Sequence, residues 1–467
     1  MSKKRKTTRV DQFFNRMTQL IGETEAHQLM DAVRQMSPKS VRYNRRLCSV
    51  DELKGKPVSW SVPFGRYWEG DTLPSRTLEY AAGKYYIQEA SAMLAISAAS
   101  EVIDFSDKIV LDLTAAPGGK ATQVAELIRS GYLVANETVR KRVDALTWNI
   151  NRHRLNNVII TSMSTASLAG ALPGFFDVVI VDAPCSGEGL FQRQKHSFEN
   201  WSAKNVRFCA HRQESILEDA AVLVRPGGWI VYATCTFAPE ENEAQIEKML
   251  EMGLSPVPLP ENLPVSPAVS TDEKVRLCSR RIFPHRENGA GAFVSVLRKE
   301  ENITSPASPP TVAIDYRYGQ RTPAGVKRED FPYIQLENTG GYFYEKNGVI
   351  GYFSFECIPE FLLQAAFQVG ASVLHKHRSH ESMFGSIQLA SPGAVVEVEE
   401  ENAWSYIRGE ELCLDCPDGY HIISYRGMRL GHVFVSGGKS INKLPNALKA
   451  PAAGFTPKKK VENFWEV

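Results

Sequence analysis

The sequence predicts an α/β protein whose central part is a mainly parallel β-sheet covered by helices on both faces. Three observations support this fold class. Between residues 107 and 298, short apolar segments typical of buried strands alternate with longer segments of helical periodicity. A glycine-rich loop directly follows the first of these strands, and two cysteines directly follow two later strands. In such sheets the strand ends open onto one crevice, which is the usual ligand site.

The first 85 residues are expected to form a basic, mainly helical extension. Apolar residues spaced three and four positions apart between residues 11 and 35 predict two short helices. Up to residue 46, the chain carries eleven Lys and Arg residues against four acidic ones. For Lys3–Lys6 we favour a solvated tail. For Arg42–Arg46, where Tyr43 is interleaved, a solvated stretch and a phosphate contact both remain open.

Residues 86–300 are expected to form the main domain. After a segment of helical pattern at residues 87–102, strands and helices alternate. The predicted strands are residues 109–113, 132–136, 158–161, 176–181, 229–233 and 293–297, and the predicted helices are residues 120–129, 140–154, 208–224 and 240–251.

The C-terminal third departs from this alternation. Residues 301–380 are expected to hold a linker, marked by the Ser- and Pro-rich segment 305–310, and a small intermediate domain with short aromatic strands and a helix around residues 359–368. Residues 381–467 are expected to form a small β-rich, barrel-like module. Cys413 and Cys416 have metal-like spacing there, but no second Cys or His pair accompanies them, so we expect no metal.

Composition narrows the class of protein. The formal net charge is +1, which argues weakly against a protein that coats nucleic acid, although a local basic patch is compatible with it. No apolar stretch approaches the roughly 20 residues needed to span a bilayer. The basic N-terminus lacks the apolar core of a secretory signal. Eight scattered cysteines are typical of reduced thiols. We therefore expect a cytoplasmic protein, monomeric and not attached to a membrane.

The loop between residues 112 and 120 predicts a nucleotide-like ligand. Gly118 and Gly119 let the backbone approach a ligand closely, and the helix that follows offers free N–H groups. Glu137, 25 positions after Asp112, ends the next strand, where an acid typically binds ribose hydroxyls. The glycine order is not the dinucleotide fingerprint, and Lys120 is not followed by the residues of a phosphate-binding loop. A ribose-bearing ligand with a carboxylate fits better, and S-adenosylmethionine is the common one.

Cys185 and Cys235 suggest covalent chemistry at the same crevice. Methyl transfer to C5 of a pyrimidine is difficult because that carbon is a poor nucleophile. A thiolate that adds to C6 activates C5 and must later be expelled. Lys120 and the sulfonium of the cofactor can lower the pKa of such a thiol. Asp182, if protonated, can steady charge at N3 of the base, and a second thiol can act as a base or assist release.

Structural and metal roles for these cysteines are less favoured. A free cysteine taken singly is most often a small buried hydrophobic residue. That interpretation is weak for two cysteines that each follow a predicted strand and have polar neighbours. A metal is not expected, because 50 positions separate Cys185 from Cys235 and neither has a second ligand nearby.

At these residues the chain resembles the Nop/Sun family of RNA cytosine-C5 methyltransferases. The resemblance spans most of the first 300 residues, and the combination of Asp-Ala-Pro-Cys-Ser-Gly with Thr-Cys-Thr is highly specific. The matching segments are residues 42–44, 86–91, 112–120, 182–189, 234–236, 239–243 and 281–285.

The resemblance implies a Rossmann-like, seven-stranded methyltransferase sheet and a role for each site residue. Cys235 would attack C6, and Cys185 would help in proton removal or product release. Asp182 would contact the target cytosine and also lie near the methionine part of S-adenosylmethionine. The other residues implied to hold this cofactor are Ala115, Ala116, Pro117, Gly118, Gly119, Lys120 and Glu137.

The resemblance also implies an RNA partner. The expected substrate is 16S ribosomal RNA within the small ribosomal subunit, contacted by the N-terminal extension. The C-terminal module resembles a PUA-type RNA-binding domain. Three positions depart from the family pattern: Ser164 replaces the usual adenine-binding Asp, Ala121 replaces Thr or Ser, and residues 289–293 differ from the usual Asp-Gly-Phe-Phe.

Two other functions remain open from the sequence. One is a non-catalytic RNA-binding or ribosome-assembly protein that keeps the methyltransferase fold, and Ser164 is its only support. The other is a methyltransferase for small molecules or proteins. That function leaves Cys235, the basic stretch 42–46 and the C-terminal module unexplained.

Overall fold

The computed structural model describes residues 8–192, 198, 201–301 and 395–442, together with short strands and one helix between residues 311 and 379. The helices are α1 (Arg9–Ile21), α2 (Glu23–Ala32), α3 (Leu78–Ala81), α4 (Leu94–Ser100), α5 (Gly119–Ala125), α6 (Arg140–Arg152), α7 (Thr165–Ala171), α8 (Ala203–Leu223), α9 (Glu243–Glu251), α10 (Glu273–Cys278), α11 (Glu360–Ala365) and α12 (Glu400–Arg408).

Strands of the first 300 residues are β1 (Ser40–Tyr43), β2 (Gly65–Tyr67), β3 (Tyr85–Ile87), β4 (Ile109–Asp112), β5 (Tyr132–Asn136), β6 (Val158–Thr161), β7 (Phe176–Asp182), β8 (Val224–Thr234), β9 (Leu254–Pro256), β10 (Ser266–Pro267), β11 (Ser279–Ile282) and β12 (Ala292–Lys299). The later strands are β13 (Thr311–Ala313), β14 (Tyr316–Arg317), β15 (Tyr342–Lys346), β16 (Val349–Phe353), β17 (Cys357–Pro359), β18 (Gln368–Val369), β19 (Ala371–His375), β20 (Arg378–Ser379), β21 (Val395–Glu397), β22 (Gly419–Tyr425), β23 (Met428–Ser436) and β24 (Lys439–Asn442).

The central sheet has the order β10-β11-β12-β8-β7-β4-β5-β6-β18, with β9 paired to β12. Strands β4 to β8 are parallel to their neighbours within this group. The seven strands from β11 to β6 form the sheet that the resemblance implies, so the predicted fold class is confirmed. The strand order reverses at β4, and the crevice beyond its carboxyl end is therefore the expected ligand site.

Burial on both faces explains why these strands are uninterrupted apolar runs. Strands β4, β5 and β6 are almost wholly buried. One hydrophobic cluster covers each face of the sheet. Parallel strands covered on both sides are apolar throughout rather than alternating, which is the pattern that the sequence shows.

The N-terminal extension contains two helices and a three-stranded sheet. Helices α1 and α2 confirm the helical periodicity, and they pack on Trp201, Phe237 and Phe283 beside the crevice. The sheet β2-β1-β3 was not expected, because its strands are three or four residues long. The helix predicted from residue 87 begins only at Leu94, because residues up to Ile87 pair in β3.

Arg42 is neither a solvated residue nor a phosphate contact. It is 2% exposed, and its guanidinium donates to Glu126, Gln88 and Thr122. This buried ion pair ties β1 to α5. Both interpretations that the sequence left open are therefore wrong for Arg42.

The C-terminal module is a four-stranded sheet, β21-β22-β23-β24, with α12 packed against it. Its β-rich character agrees with the prediction. Leu78 and Ala82 join its hydrophobic core. Arg154 donates to the carbonyl oxygens of Ala82 and Arg429, so the module rests on the segment around α3.

Between these parts, β14-β15-β16-β19-β20 form a separate five-stranded sheet, and β18 extends the central sheet beyond β6. Helix α11 confirms the predicted helix in this region. The Ser- and Pro-rich segment 305–310 lies outside the described residues.

A candidate active site at the carboxyl edge of the sheet

The structure brings Cys185 and Cys235 together just beyond the ends of β7 and β8. Asp182 at the end of β7 lies opposite Ala233 of β8, so the loops that follow start side by side. The Cys185 Sγ and Cys235 Sγ atoms are 3.3 Å apart, and both residues are half-buried. The hydrogen bond to Cys235 raises the pKa of the Cys185 thiol, and burial raises it further. Cys185 is thus the protonated partner that donates to the Cys235 sulfur.

Lys120 and Asp182 form an ion pair beside the two thiols. Lys120 Nζ lies 2.8 Å from Asp182 Oδ2. Burial lowers the pKa of Lys120, but the attraction of Asp182, their hydrogen bond and the field of Cys235 together raise it. Lys120 therefore stays charged and supplies a positive field at Cys235, which favours a thiolate.

The loop between β4 and α5 is held by backbone contacts. Ala115 N–H donates to Asn136 O at 2.8 Å, while the carbonyls of Ala116 and Pro117 accept from Arg142 and Asn149. Gly118 has φ +113°, a backbone conformation that residues other than glycine rarely adopt. Gly119 then begins α5. The loop therefore has a fixed shape. Because Gly118 and Gly119 lack side chains, a ligand can come close to its backbone, as a cofactor loop requires.

Two buried carboxylates lie next to this loop, Asp112 at the last position of β4 and Glu137 directly after β5. Glu137 accepts from Val139 N–H at 2.8 Å, and its Oε2 lies 3.2 Å from Arg142 Nη1 without a hydrogen bond among the described residues. Asp112 Oδ2 is also buried without a hydrogen-bond partner there. Burial and the nearby Asp182 raise the pKa of Asp112 to about 7. These acceptors fit the hydroxyl and ammonium groups of the predicted cofactor.

Ser164 has a local structural role. Its Oγ accepts from Ser167 N–H at 3.1 Å and so caps the N-terminus of α7. The residue is exposed at the carboxyl end of β6. Serine is a common helix cap, so the capping role accounts for the hydroxyl at this position.

Two glutamates that the sequence did not single out lie behind the thiols. Glu188 and Glu241 are fully buried and are linked through the hydroxyls of Ser186 and Thr236. Both belong to the segments that carried the resemblance. Their burial was not predictable, because carboxylates are normally exposed.

A close backbone contact joins the Cys185 and Cys235 loops to residues 289–293. A Cβ built on Gly189 would lie 2.8 Å from Cys235 O and 3.0 Å from Gly291 O. A Cβ on Gly291 would meet the Phe237 ring at 2.7 Å. Glycine is therefore required at both positions.

A basic cleft of about 290 Å³ lies at the far end of α5 from Lys120. Arg45, Arg46 and Arg129 line it. Arg46 donates to the carbonyls of Ala125 and Ile128. Arg45 stacks over Phe64 at 4.9 Å.

Neither a membrane helix nor a metal cluster is present in the part of the chain that the structure describes. No helix there is long and apolar enough to cross a bilayer. No three His, Cys, Asp or Glu residues there converge as metal ligands.

Comparisons with known proteins match three parts of the chain. Residues 104–298 match the model of 16S rRNA methyltransferase RsmB/F. Residues 10–90 match the N-terminal domain of 16S rRNA methyltransferase RsmF, and residues 394–449 match the methyltransferase RsmF PUA domain. The three matches follow one another along the chain without overlap.

Curated relatives are named ribosomal RNA small subunit methyltransferase F. The relative from Erwinia tasmaniensis is 33% identical over 324 residues, and the alignment covers 66% of each chain. The relative from Aeromonas salmonicida is 29% identical over 470 residues, and the alignment covers 91% of this chain and 94% of the relative.

Solved structures share the fold of the main domain. A methyltransferase homolog protein from Pyrococcus horikoshii has a TM-score of 0.53 and 29% identity, covering 62% of this chain and 95% of its own. NSun6 from the same organism, solved with SFG, has a TM-score of 0.53 and 20% identity, covering 62% and 97%. From its domain order, its thiol loops and these relatives, the chain belongs to the 16S rRNA methyltransferase RsmB/F family.

Proposed function

We propose that this protein methylates C5 of a cytosine in 16S ribosomal RNA, with S-adenosylmethionine as cofactor. The observation that carries the proposal is the pair of thiols 3.3 Å apart beside the Lys120–Asp182 ion pair. Methyl transfer to a nitrogen or an oxygen needs no thiol nucleophile. A second thiol in contact with the first is useful when a covalent bond to carbon must be made and then broken.

Cys235 is the proposed nucleophile. Lys120 favours its thiolate, and Cys185 donates a hydrogen bond to its sulfur. The thiolate adds to C6 of the cytosine, which makes C5 electron-rich. Asp182 is positioned by Lys120 to contact the N3 side of the ring.

Cys185 is proposed to release the product. After C5 has been methylated, Cys185 gives its proton to the Cys235 sulfur as the S–C6 bond breaks, and it takes up the proton from C5. Cys185 is then restored, and Cys235 leaves as a thiol. Return of Cys235 to its thiolate releases one proton for each methyl group transferred, so the cycle balances.

The residues at the crevice fit S-adenosylmethionine. Glu137 would bind the ribose hydroxyls, the free oxygen of Asp112 would accept from the ammonium group, and the N-terminus of α5 at Gly119 would face the carboxylate. When bound, the cofactor supplies the electrophilic methyl group. Membership of a methyltransferase family supports a cofactor of this type.

Two kinds of observation, the comparisons and a basic cleft, support an RNA partner. The relatives of this chain act on small-subunit ribosomal RNA by name, and the C-terminal match is to a PUA domain. The cleft lined by Arg45, Arg46 and Arg129 offers a positive surface for backbone phosphates. We propose that it extends the RNA contact of the N-terminal region, within a cytoplasmic enzyme.

The decisive experiment uses undermodified small ribosomal subunits and the 16S RNA extracted from them. Each is incubated with methyl-labelled S-adenosylmethionine and the purified protein, and the RNA is then digested and its nucleosides are identified by mass. The expected product is 5-methylcytidine. Label at another position would contradict C5 chemistry, and no label on either substrate would favour a non-catalytic RNA-binding protein.

A further inference from the structure

A chain of four oxygen atoms runs behind the thiol pair, from Glu188 through Thr236 and Ser186 to Glu241. Thr236 Oγ1 lies 2.9 Å from Glu188 Oε2 and 2.9 Å from Ser186 Oγ. Ser186 Oγ is in turn in hydrogen-bond contact with Glu241 Oε1. Ser186 directly follows Cys185 and Thr236 directly follows Cys235, so this chain connects the two thiol loops.

Counting protons shows that the chain holds one more than its hydroxyls supply. The three short contacts along the chain need three hydrogens, and the two hydroxyl groups provide only two; Thr236 Oγ1 also lies 3.4 Å from Glu241 Oε1, a longer contact that adds no donor. A third proton must come from one of the carboxyl groups. If both glutamates were ionised, the contact between Ser186 and Thr236 would be an unbridged approach of two oxygen atoms in a buried site.

Neighbouring N–H groups identify which glutamate carries the proton. Glu188 accepts from Trp201 Nε1 at one oxygen and from Phe237 N–H at the other, so a proton on either oxygen would turn the acceptor of an N–H bond into a weakly accepting hydroxyl oxygen. Glu241 accepts from Ser186 N–H and Gln213, but both bonds go to Oε2. Its Oε1 is left facing the Ser186 hydroxyl.

We propose that Glu241 is a neutral carboxylic acid that donates from Oε1 to Ser186, and that it positions the Cys185 loop against the Cys235 loop. The hydrogen bonds then run in one direction, from Glu241 to Ser186, to Thr236 and to the anionic Glu188. The role of the loops as carriers of reacting thiols rests on the proposed function. The protonation of Glu241 does not depend on that function.

Electrostatics agrees with this assignment. Burial raises the pKa of both glutamates. For Glu241 it does so to about 7, against the hydrogen bonds from Ser186, while at Glu188 the hydrogen bonds from Trp201 and Thr236 and the charge of Arg16 oppose it. An ionised Glu241 would also raise the pKa of Cys185. The charged and titratable groups that face Glu241 are Glu188, Cys185, Cys209, Tyr232 and Arg16.

The test compares Glu241→Gln with Glu188→Gln, with the exposed Glu247→Gln as the matched control. A glutamine at 241 reproduces the neutral acid, because its carbonyl accepts from Ser186 N–H and Gln213 while its amide donates to Ser186 Oγ. At 188, one end of the amide would set N–H groups against the donor from Trp201 or Phe237. At pH 4.5, below the range in which Glu241 ionises in the native protein, we therefore expect Glu241→Gln and Glu247→Gln to unfold at the wild-type denaturant concentration, and Glu188→Gln to unfold earlier or fail to fold.

A second readout does not depend on the fate of Glu188→Gln. In infrared spectra at pH 6, the folded wild type and Glu247→Gln should show the carbonyl absorption of protonated buried carboxyls, to which Asp112 also contributes, and the difference spectrum of Glu241→Gln should show the loss of one such carboxyl. The free energy of unfolding should show the same protonation. Between pH 4.5 and about 7 the native Glu241 holds a proton that the unfolded chain does not, so wild-type stability should fall relative to Glu241→Gln as the pH rises through this window.

Activity supplies a third readout. Ionisation of Glu241 should impose a decline on the alkaline side of the kcat profile, and Glu241→Gln should abolish that decline while Glu247→Gln keeps it. An infrared band of undiminished intensity in Glu241→Gln, or equal stability of the two buried Gln variants, would overturn the proposal. Absence of methyl transfer in every protein would contradict the proposed function but leave the infrared and stability results interpretable.

Discussion

Cys185 Sγ and Cys235 Sγ lie 3.3 Å apart although 50 positions separate them in the chain. Parallel pairing of β7 with β8 produces this contact, because it starts both loops at the same edge of the sheet. The pair is asymmetric. Cys185 is the donor with a raised pKa, and Lys120 acts on Cys235.

Replacing the thiols separately should give two different defects. Cys235→Ala should abolish methyl transfer without forming any adduct, because the nucleophile is missing. Cys185→Ala should bind RNA covalently but release it slowly, since no thiol assists departure of Cys235. Denaturing gels of protein mixed with labelled RNA and cofactor measure the adduct. Cys209→Ala is the control, because burial raises the pKa of that thiol to about 11. An adduct formed by Cys235→Ala would show that Cys235 is not the nucleophile.

Removing the cation beside the thiols should weaken the nucleophile. In Lys120→Met, the positive field at Cys235 is lost, so its thiolate is less stabilised and its alkylation by iodoacetamide should be slower than in the wild type. The alkylated Cys235 peptide is quantified by mass spectrometry across a pH series. Lys108→Met removes a comparable Lys–Asp pair far from the thiols and should not change the profile. An unchanged profile in Lys120→Met would rule out electrostatic activation by this residue.

Acid should destabilise the junction between β1, α5 and α6 through His153. Burial lowers the pKa of His153 from 6.5 to about 4, although the hydrogen bond to Glu126 raises it. Between these values the unfolded chain binds a proton that the native protein does not, so stability falls as the pH falls from 6.5 to 4. His153→Gln should lose this part of the pH dependence, which denaturant titrations at several pH values measure. His211→Gln, at an exposed histidine, should keep the wild-type slope.

The cleft at the far end of α5 should contribute to RNA affinity in a salt-dependent way. If Arg45 and Arg129 each contact a phosphate, Arg45→Gln/Arg129→Gln should reduce the slope of log affinity against log salt by about 0.7 to 0.9 for each residue. Filter binding of 16S RNA fragments over a salt series measures it. The exposed Lys274→Gln serves as the control. Equal slopes for the double variant and the wild type would show that the cleft is not part of the RNA interface.

Much of the fold followed from apolar periodicity. The predicted strands 132–136 and 158–161 agree with β5 and β6 in both bounds, because apolar residues bounded by polar ones mark a doubly buried strand clearly. Boundaries differed where local polar contacts decide them. Helix α8 begins at Ala203 rather than 208, because Ser202 caps it. Helix α9 begins at Glu243, because residues 239–241 form a separate short turn before it.

The sequence by itself determined the α/β class, the two thiols at strand ends, and the loop and acid of the cofactor site, since each of these depends on residues close together in the chain. Tertiary structure alone decided which distant groups meet. It paired Cys185 with Cys235, buried Arg42 against Glu126, and enclosed Glu188 and Glu241 behind the thiols. Burial and direction of hydrogen bonds set the charge of a carboxyl or a thiol, and both depend on the packing of segments far apart in the sequence.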